Sequence, residues 1–523
     1  MNFNLALPLY RNSRAAPQRL ALVAGGTALT YGELAALARR IAAWLPRGAR
    51  GRVGRVGILA SRSLEACAGA LGTSWAGGTY VPLGHKLPEE RLATVLALAE
   101  LDAVITDGPG ARLLSERVLA ACPRQILVPD EALMPARRSD GGAPLSFAAL
   151  AEPADEMAPV EVAAADIAYI EFTSGTTGVP KGVMVPAGAV RHYLDVIRER
   201  YRIRPEDRVA ETAELSFDIS VSNMFMTWEA GASLHVVPAT QALAPAKFIQ
   251  QHRLTVWYSV PSIIAILKQM RLLPPGAFPS LRYSLFLGEP LPVSAARAWQ
   301  AAAPDSVVDN LYGPTEATVA CLAQRVTDAP LVTAERDIVA IGTPFPGMSA
   351  AILDGQQRFL PPGQVGEIAL AGPQLAAGYL GVAELTAARF PVIGGRRWYL
   401  TGDLGRQDVA GIFHHLGRID NQVKVLGNRV ELEEVEAHLQ AVSRTELAAA
   451  VAWPVSHGSA DGIVAFVAGA ALEPAQIREA LKKRLPPYMV PSAVHAIATM
   501  PMTASGKVDR KFLRARLAEG RQP

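Results

Sequence analysis

Two long stretches of this chain switch repeatedly between short apolar runs and helix-length segments, and few folds accept that pattern. In the first, Val56 to Ala60, Tyr80 to Leu83 and Ala103 to Thr106 read as strands, with helices predicted over Leu64–Trp75 and Glu89–Leu98 between them. The second, about 209–308, places strands at Gly231–Val237, Val256–Ser259 and Ser284–Leu287, and helices at Ala246–His252, Pro261–Met270 and Val293–Ala302. Strands joined through crossover helices lie parallel, so two doubly wound α/β subdomains are predicted in one large N-terminal lobe. Ahead of them, Thr30 caps a helix running to about Trp44, with Glu33 at the capping-box position. From about Ile338 the glycines thicken and strands shorten (Ala350–Leu353, Glu367–Leu370, Trp398–Tyr399), which predicts a small β-rich subdomain. Beyond Gly417 the helices Glu431–Gln440 and Pro474–Arg484 flank a strand at Gly462–Val467, a compact α+β tail. The Pro-, Gly- and charge-rich segment Met134–Pro159 reads as a surface excursion.

Composition narrows the function classes. At 523 residues, with half the residues hydrophobic and 19% charged, the chain suits a globular enzyme and not a disordered segment. Its 51 basic and 48 acidic residues leave +3, and no dense basic run marks a nucleic-acid footprint. No basic leader with a cleavable apolar core and no 18-residue uncharged apolar run occurs, so a cytoplasmic protein with no membrane partner is expected. Cys67, Cys122 and Cys321 lack any metal-ligand spacing and are expected as buried thiols. His414 and His415 have no third ligand at a suitable spacing and are expected in an exposed loop.

The chemistry concentrates after the apolar run Ile167–Phe172, in Thr173-Ser174-Gly175-Thr176-Thr177-Gly178-Val179-Pro180-Lys181-Gly182. Its three glycines let successive N–H groups turn into one concavity, and four hydroxyls and one ammonium add donors, a nest suited to a polyphosphate. The spacing is not that of G-x-x-x-x-G-K-[ST], since only two residues separate Gly175 from Gly178 and Gly182 follows Lys181. By composition alone a Ser/Thr/Gly surface loop is an equal reading.

The loop is one of a set. Ala76 to Leu83, Thr173 to Gly182, Phe217 to Ser220, Asn310 to Glu316, Gly366 to Ile368, Tyr399 to Leu404, Gly417 to Gly427, Leu485 to Pro491 and Ser505 to Arg510 follow one another in an order that resembles the adenylate-forming superfamily. Within it the chain is most similar to the amino-acid adenylation enzymes of nonribosomal peptide assembly. The resemblance covers nearly the whole chain and implies an ATP- and Mg²⁺-dependent ligase that makes an acyl-AMP, releases pyrophosphate and then forms a thioester. It also implies domains at 1–417, holding the ATP and amino-acid sites, and 418–523, a small mobile domain hinged at Asp420.

Residue by residue, the resemblance makes Thr173, Ser174, Gly175, Thr176, Thr177, Gly178 and Lys181 the holders of the β- and γ-phosphates. Thr315 contacts the α-phosphate, and Glu316 holds Mg²⁺ through carboxylate oxygen. Gly288, Glu289, Asn310, Tyr312 and Gly313 frame the adenine, with the Tyr312 ring as a stacking face. Asp403 accepts from the ribose hydroxyls with Arg418 nearby, and Lys507 is the catalytic ammonium between the substrate carboxylate and the α-phosphate. Two departures stand out: Ala377 replaces an arginine before Gly378-Tyr379, and Ser222-Asn223 replaces a Trp-Glu pair after Phe217-Asp218.

The corresponding amino-acid pocket is Asp218, Ile219, Ser222, Tyr258, Leu285, Leu287, Leu311, Val319 and Ala320, with Lys507. The aspartate at the first of these positions implies an α-ammonium to pair with, and the mainly aliphatic remainder, with one tyrosine filling volume, implies a small, uncharged side chain. The set is most similar to freestanding L-proline activating ligases, which load proline on a separate carrier protein before its oxidation to a pyrrole; L-serine, L-alanine, L-valine and D-alanine stay open. Only sixteen residues follow Lys507, so loading of a phosphopantetheinylated carrier is expected in trans. An acyl-CoA synthetase and a non-catalytic binder of ATP or amino acid are the alternatives.

Overall fold

The computed structural model describes residues 2–48, 51–135, 144–153, 157–174, 179–456, 459–503 and 508–520. By packing, the chain divides into one unit of residues 1–85, 95–172 and 182–417 and a second of 86–94, 173–181 and 418–523.

The first unit is built on two large sheets. In chain order the strands are β1 (Leu20–Ala24), β2 (Thr27–Thr30), β3 (Arg55–Leu59), β4 (Thr79–Pro82), β5 (Ala103–Thr106), β6 (Gln125–Val128), β7 (Leu145–Ser146), β8 (Ile167–Thr173), β9 (Lys181–Pro186), β10 (Arg208–Glu211), β11 (Ser233–Val236), β12 (Val256–Ser259), β13 (Tyr283–Phe286), β14 (Val307–Tyr312) and β15 (Leu322–Arg325). One sheet runs β9-β8-β4-β3-β5-β6-β7, with the short strand Gly378–Tyr379 outside β9. The other runs β15-β14-β13-β12-β10-β11-β1-β2, with Thr343–Pro344 outside β15. The inner pairs are parallel, as the alternation requires: Val56 faces both Tyr80 and Ala103, and Leu285 lies between Tyr258 and Asp309. β3, β5 and β12 are apolar nearly throughout because both sheet faces are covered.

Local chemistry sets the helices. Thr30 accepts from the Glu33 amide while Glu33 returns a bond to the Thr30 amide, closing the predicted capping box. The helix Ile219–Ala230 is buried from Ile219 to Trp228, shows no polar face, and ends at Gly231 in the left-handed region (φ 74°). A four-stranded antiparallel sheet, Ser349–Leu353, Val365–Ala371, Tyr399–Gln407 and Phe413–Arg418, forms the β-rich part.

The second unit holds the sheet Ala448–Ala452, Ile463–Ala468, Ala493–Ile497, the helices Leu432–Ser443, Pro474–Lys482 and Arg510–Ala518, and the hairpin Gln422–Val425/Asn428–Glu431. Glu436 takes a bidentate bond from Arg510 at 2.7 Å on each oxygen. Its own apolar core runs through Val435, Leu439, Ala450, Ala465, Ile477 and Leu481. The chain is thus an α/β protein with a large N-terminal part and a small C-terminal one.

Two expectations need correcting. His414 and His415 are in the strand Phe413–Arg418, not in an exposed loop: His414 is buried, its ring nitrogens 3.1 Å from Thr333 Oγ1 and 3.3 Å from Asp408 Oδ2. Within Met134–Pro159, β7 extends the first sheet by pairing with β6, so that segment is more than an excursion. The three cysteines are free and buried, as expected. Among the described residues no helix is long and apolar enough to cross a membrane.

Candidate active site

The C-terminal ends of the parallel strands carry part of the chemistry-bearing set of the first unit. β14 runs through Asn310 and Tyr312 to Gly313 and then a 3-10 turn, Thr315–Ala317. Glu316 in that turn is fully buried, and the Tyr379 hydroxyl donates to its Oε1 at 2.8 Å. Thr315 remains half-buried.

Immediately afterwards the backbone enters an unusual conformation. Thr318 and Val319, both β-branched, have φ of 56° and 62°, a region where such residues are outliers. Buried Gln374 holds them there. Its Nε2 donates to the carbonyls of Ala317 (3.2 Å), Thr318 (3.3 Å) and Ala320 (2.8 Å), and Thr318 Oγ1 donates to the Gln374 carbonyl at 2.6 Å. The turn comes so close to β14 that a Cβ on Gly313 would lie 2.6 Å from Ala320 Cα, so only glycine fits. Glu316, Val319 and Ala320 are fixed together by this arrangement.

Asp403 lies in the strand Tyr399–Gln407, its Oδ2 accepting from the Tyr312 hydroxyl at 2.5 Å and its Oδ1 3.4 Å from His415 Nε2. Burial and the Asp403 charge push the Tyr312 phenol well above its usual range. Asn310 donates to the carbonyls of Val339 (3.3 Å) and Ala340 (2.9 Å), leaving its buried Oδ1 without a hydrogen bond. Gly288 has φ 91°, which reserves that position for glycine, and Glu289 accepts from the Ser262 amide at 2.8 Å at the start of the helix Ser262–Gln269.

Asp218, 9% exposed, is the cap residue of the Ile219–Ala230 helix, and its side chain makes no capping bond. Ile219, Tyr258, Leu285, Leu287, Leu311, Val319 and Ala320 all belong to one apolar cluster. Ser222, one turn after Asp218, accepts from the hydroxyl of Tyr193 at 2.8 Å. Four tyrosines, Tyr80, Tyr169, Tyr193 and Tyr258, feel the Asp218 charge, which adds to burial in pushing their phenols upward. The Tyr80 and Tyr169 rings stack at 5.6 Å between β4 and β8, and neither hydroxyl finds a partner.

In the second unit, Ser174 Oγ donates to the Arg429 carbonyl at 3.0 Å, and Arg418 grips Asp420 through Nε (2.7 Å) and Nη2 (2.6 Å). Thr173 ends β8 and Lys181 opens β9. Gly175, Thr176, Thr177, Gly178 and Lys507 lie outside the described residues.

Sequence reasoning missed Tyr193, Gln374 and Tyr379. The last two stand in Gly372-Pro373-Gln374-Leu375-Ala376-Ala377-Gly378-Tyr379, a stretch singled out only for Ala377. A guanidinium does reach that stretch from elsewhere, since Arg397 donates to the carbonyls of Ala376 (2.8 Å) and Ala377 (2.9 Å).

Comparison with known proteins bears on the family and the fold. The profile of the AMP-binding enzymes matches residues 9–380, and that of the AMP-binding enzyme C-terminal domain matches residues 434–507. Tyrocidine synthase 3 of Brevibacillus parabrevis is 33% identical over 505 residues, 95% of this chain but 7% of that protein, so the chain spans only a small part of this relative. Novobiocin biosynthesis protein H of Streptomyces niveus is 33% identical over 524 residues, 96% of this chain and 81% of its own length. The crystal structure of the Vibrio cholerae adenylation domain AlmE in complex with glycyl-adenosine-5′-phosphate superposes with a TM-score of 0.89 at 33% identity, covering 99% of this chain and 98% of that one.

Proposed function

The chain belongs to the family of AMP-binding enzymes, and on that premise we propose that it activates a small, uncharged α-amino acid and passes it to the phosphopantetheine thiol of a separate carrier protein. Enzymes of this family are adenylate-forming ligases that use ATP with Mg²⁺. The observation that carries the amino-acid reading is Asp218, a buried carboxylate at the head of a helix whose first residue shares one apolar cluster with Tyr258, Leu285, Leu287, Leu311, Val319 and Ala320. An α-ammonium placed there gains a charge partner in a low-dielectric wall, whereas a fatty acid offers none. AlmE, solved with a glycyl adenylate, supports the same substrate class. L-Proline is the first candidate from the pocket composition, and glycine is the second from that neighbour; D-alanine, L-alanine, L-serine and L-valine complete the set.

In the first step a substrate carboxylate oxygen attacks the α-phosphorus, the α–β P–O bond breaks, and pyrophosphate leaves. Thr315 is proposed to orient the α-phosphate and Lys507 to bridge it to the carboxylate, where negative charge builds. Thr173, Ser174 and Lys181, with Gly175 to Gly178, are proposed to cradle the leaving phosphates. Asn310, Tyr312, Gly313, Gly288 and Glu289 would frame the base, and Asp403 the sugar. Glu316 suits Mg²⁺: it is one buried carboxylate already oriented by Tyr379, and among the described residues no group of three or more His, Cys, Asp or Glu could hold a metal alone. A single carboxylate fits an ion that arrives with the polyphosphate and neutralises its charge. In the second step the carrier thiolate attacks the acyl carbon, AMP leaves, and the thioester forms. The domains 1–417 and 418–523, hinged at Asp420, are proposed to alternate between the two steps, in the cytoplasm.

Amino-acid-dependent ATP–pyrophosphate exchange across the standard amino acids and D-alanine tests this. A selective response to a small amino acid, reduced by about a hundredfold or more in a folded Lys507→Ala variant, is the expected result. No response to any amino acid overturns the substrate class; full activity in the variant overturns the assignment of Lys507.

A further inference from the structure

We propose that Tyr193, on the helix Ala187–Tyr201, closes the floor of the amino-acid pocket and sets the largest side chain the enzyme accepts. This inference rests on the amino-acid reading of the site containing Asp218.

Asp218 and Ser222 are four residues apart on neighbouring turns, so they share one face and are separated by an axial rise of about 6 Å. With the ammonium at Asp218, the substrate side chain extends toward Ser222. Serine is too short to end a pocket by itself. Behind it stands Tyr193, which lies on the packed neighbouring helix, is 0% exposed, and donates to Ser222 Oγ at 2.8 Å. Tyr258, on β12, brings its hydroxyl beside that of Tyr193. The floor is therefore a phenol ring locked by one hydrogen bond and backed by a second phenol.

Such a floor limits length. A tyrosine in a close-packed, fully buried setting cannot swing aside without opening a void, so a side chain long enough to reach its ring is excluded. The proposal places that limit between proline or valine, which are accepted, and leucine, methionine and phenylalanine, which are not. Replacing the ring by a small side chain leaves a cavity continuous with the pocket, which a larger substrate fills.

The test is the exchange assay on purified full-length chain with glycine, alanine, proline, valine, leucine, methionine and phenylalanine, together with straight-chain carboxylic acids of two to eight carbons. Tyr193→Ala is expected to raise the leucine-to-proline ratio of kcat/KM at least tenfold, with the change carried by KM. Tyr193→Phe, which keeps the ring and loses the hydroxyl, is expected to hold that ratio within threefold. If Tyr193→Ala does not fold, Tyr193→Leu is read in its place. An unchanged order of preference in a folded small-residue variant overturns the proposal, as does a uniform loss across the panel. If only simple carboxylic acids respond, the amino-acid reading fails, and the length limit is read from the acid series by the same criterion.

Discussion

Two regions of the large sheet carrying β10 to β14 bury carboxylates, and they treat them in opposite ways. Asp309, 0% exposed on β14, is bonded by Arg200 and Tyr201 at 2.8 Å each and by Arg325. Asp207, just before β10, is met by Arg282, by Thr255 Oγ1 at 2.7 Å and by the Arg204 amide at 2.7 Å. A few residues along, the picture reverses. Glu211 takes bonds on Oε1 alone, from Asn223 (3.1 Å) and the Ala213 amide (3.0 Å), while its Oε2, Asn223 Oδ1 and the hydroxyls of Tyr80 and Tyr169 have none. Burial pushes the Glu211 carboxyl up to about 8, so it holds its proton at neutral pH. Saturated buried charge fixes a scaffold; polar groups left short of partners mark where a ligand, a water or a proton has something to add.

The sharpest break of this contrast is a crossed pair of variants. Asp218→Ala should lower kcat/KM for the preferred amino acid by about a hundredfold, the scale of removing one partner from a desolvated charge pair, with a smaller loss of stability than Asp309→Ala shows. Asp309→Ala should do the opposite: a loss of about 2–3 kcal/mol in stability, below the full cost of an unpaired buried charge because Arg200 and Arg325 are partly exposed, with kcat/KM unchanged. Denaturant melts and exchange kinetics on both decide it, and equal effects on both quantities in both variants would erase the distinction.

Glu211 comes next. Its folded pKa is raised from 4.5 to about 8, so the stability it contributes is complete below about 4.5 and is lost as pH rises through about 8. Glu211→Gln, which cannot ionise, should melt a few degrees above wild type at pH 8.5 and close to it at pH 5. Parallel melting curves at the two pH values would show that Glu211 titrates normally. The smallest effect is expected of Tyr379→Phe, which strips one donor from Glu316: about tenfold in kcat/KM, seen chiefly as a higher Mg²⁺ requirement. An unmoved Mg²⁺ titration would assign Tyr379 to the scaffold.

Much of this architecture could be read from the chain. The alternation of Val56–Ala60, Leu64–Trp75 and Tyr80–Leu83 can only be met by parallel strands, and Thr30 with Glu33 writes its helix start into four residues. Gly288 and Gly313 were named only through the resemblance, and the structure adds why each must be glycine, one by its φ and one by a close approach that excludes a Cβ. What stayed hidden depends on packing between distant segments. Tyr193 sits on an ordinary amphipathic helix and gains its meaning only because Ser222 faces it. The turn at Thr318–Val319 carries no glycine to betray its positive φ, since the strain is held from outside by Gln374. Phe413-His414-His415-Leu416-Gly417-Arg418 has no period-two pattern, because its histidines are wanted for their bonds to Thr333, Asp408 and Asp403, and not for burial of apolar surface.

The 2.5 Å bond between Tyr312 and Asp403 has a bearing on how a nucleotide would be recognised. On the proposed reading, an arriving sugar does not meet an idle acceptor; it joins a carboxylate whose Oδ2 is already engaged by a tyrosine. A hydrogen bond to a charged group contributes about 1.5–3 kcal/mol, and the tyrosine holds the carboxylate in place before the sugar's own bond is made. Ribose selection at Asp403 then depends on an acceptor set in advance by a side chain, and its geometry is the tyrosine's work as much as the nucleotide's.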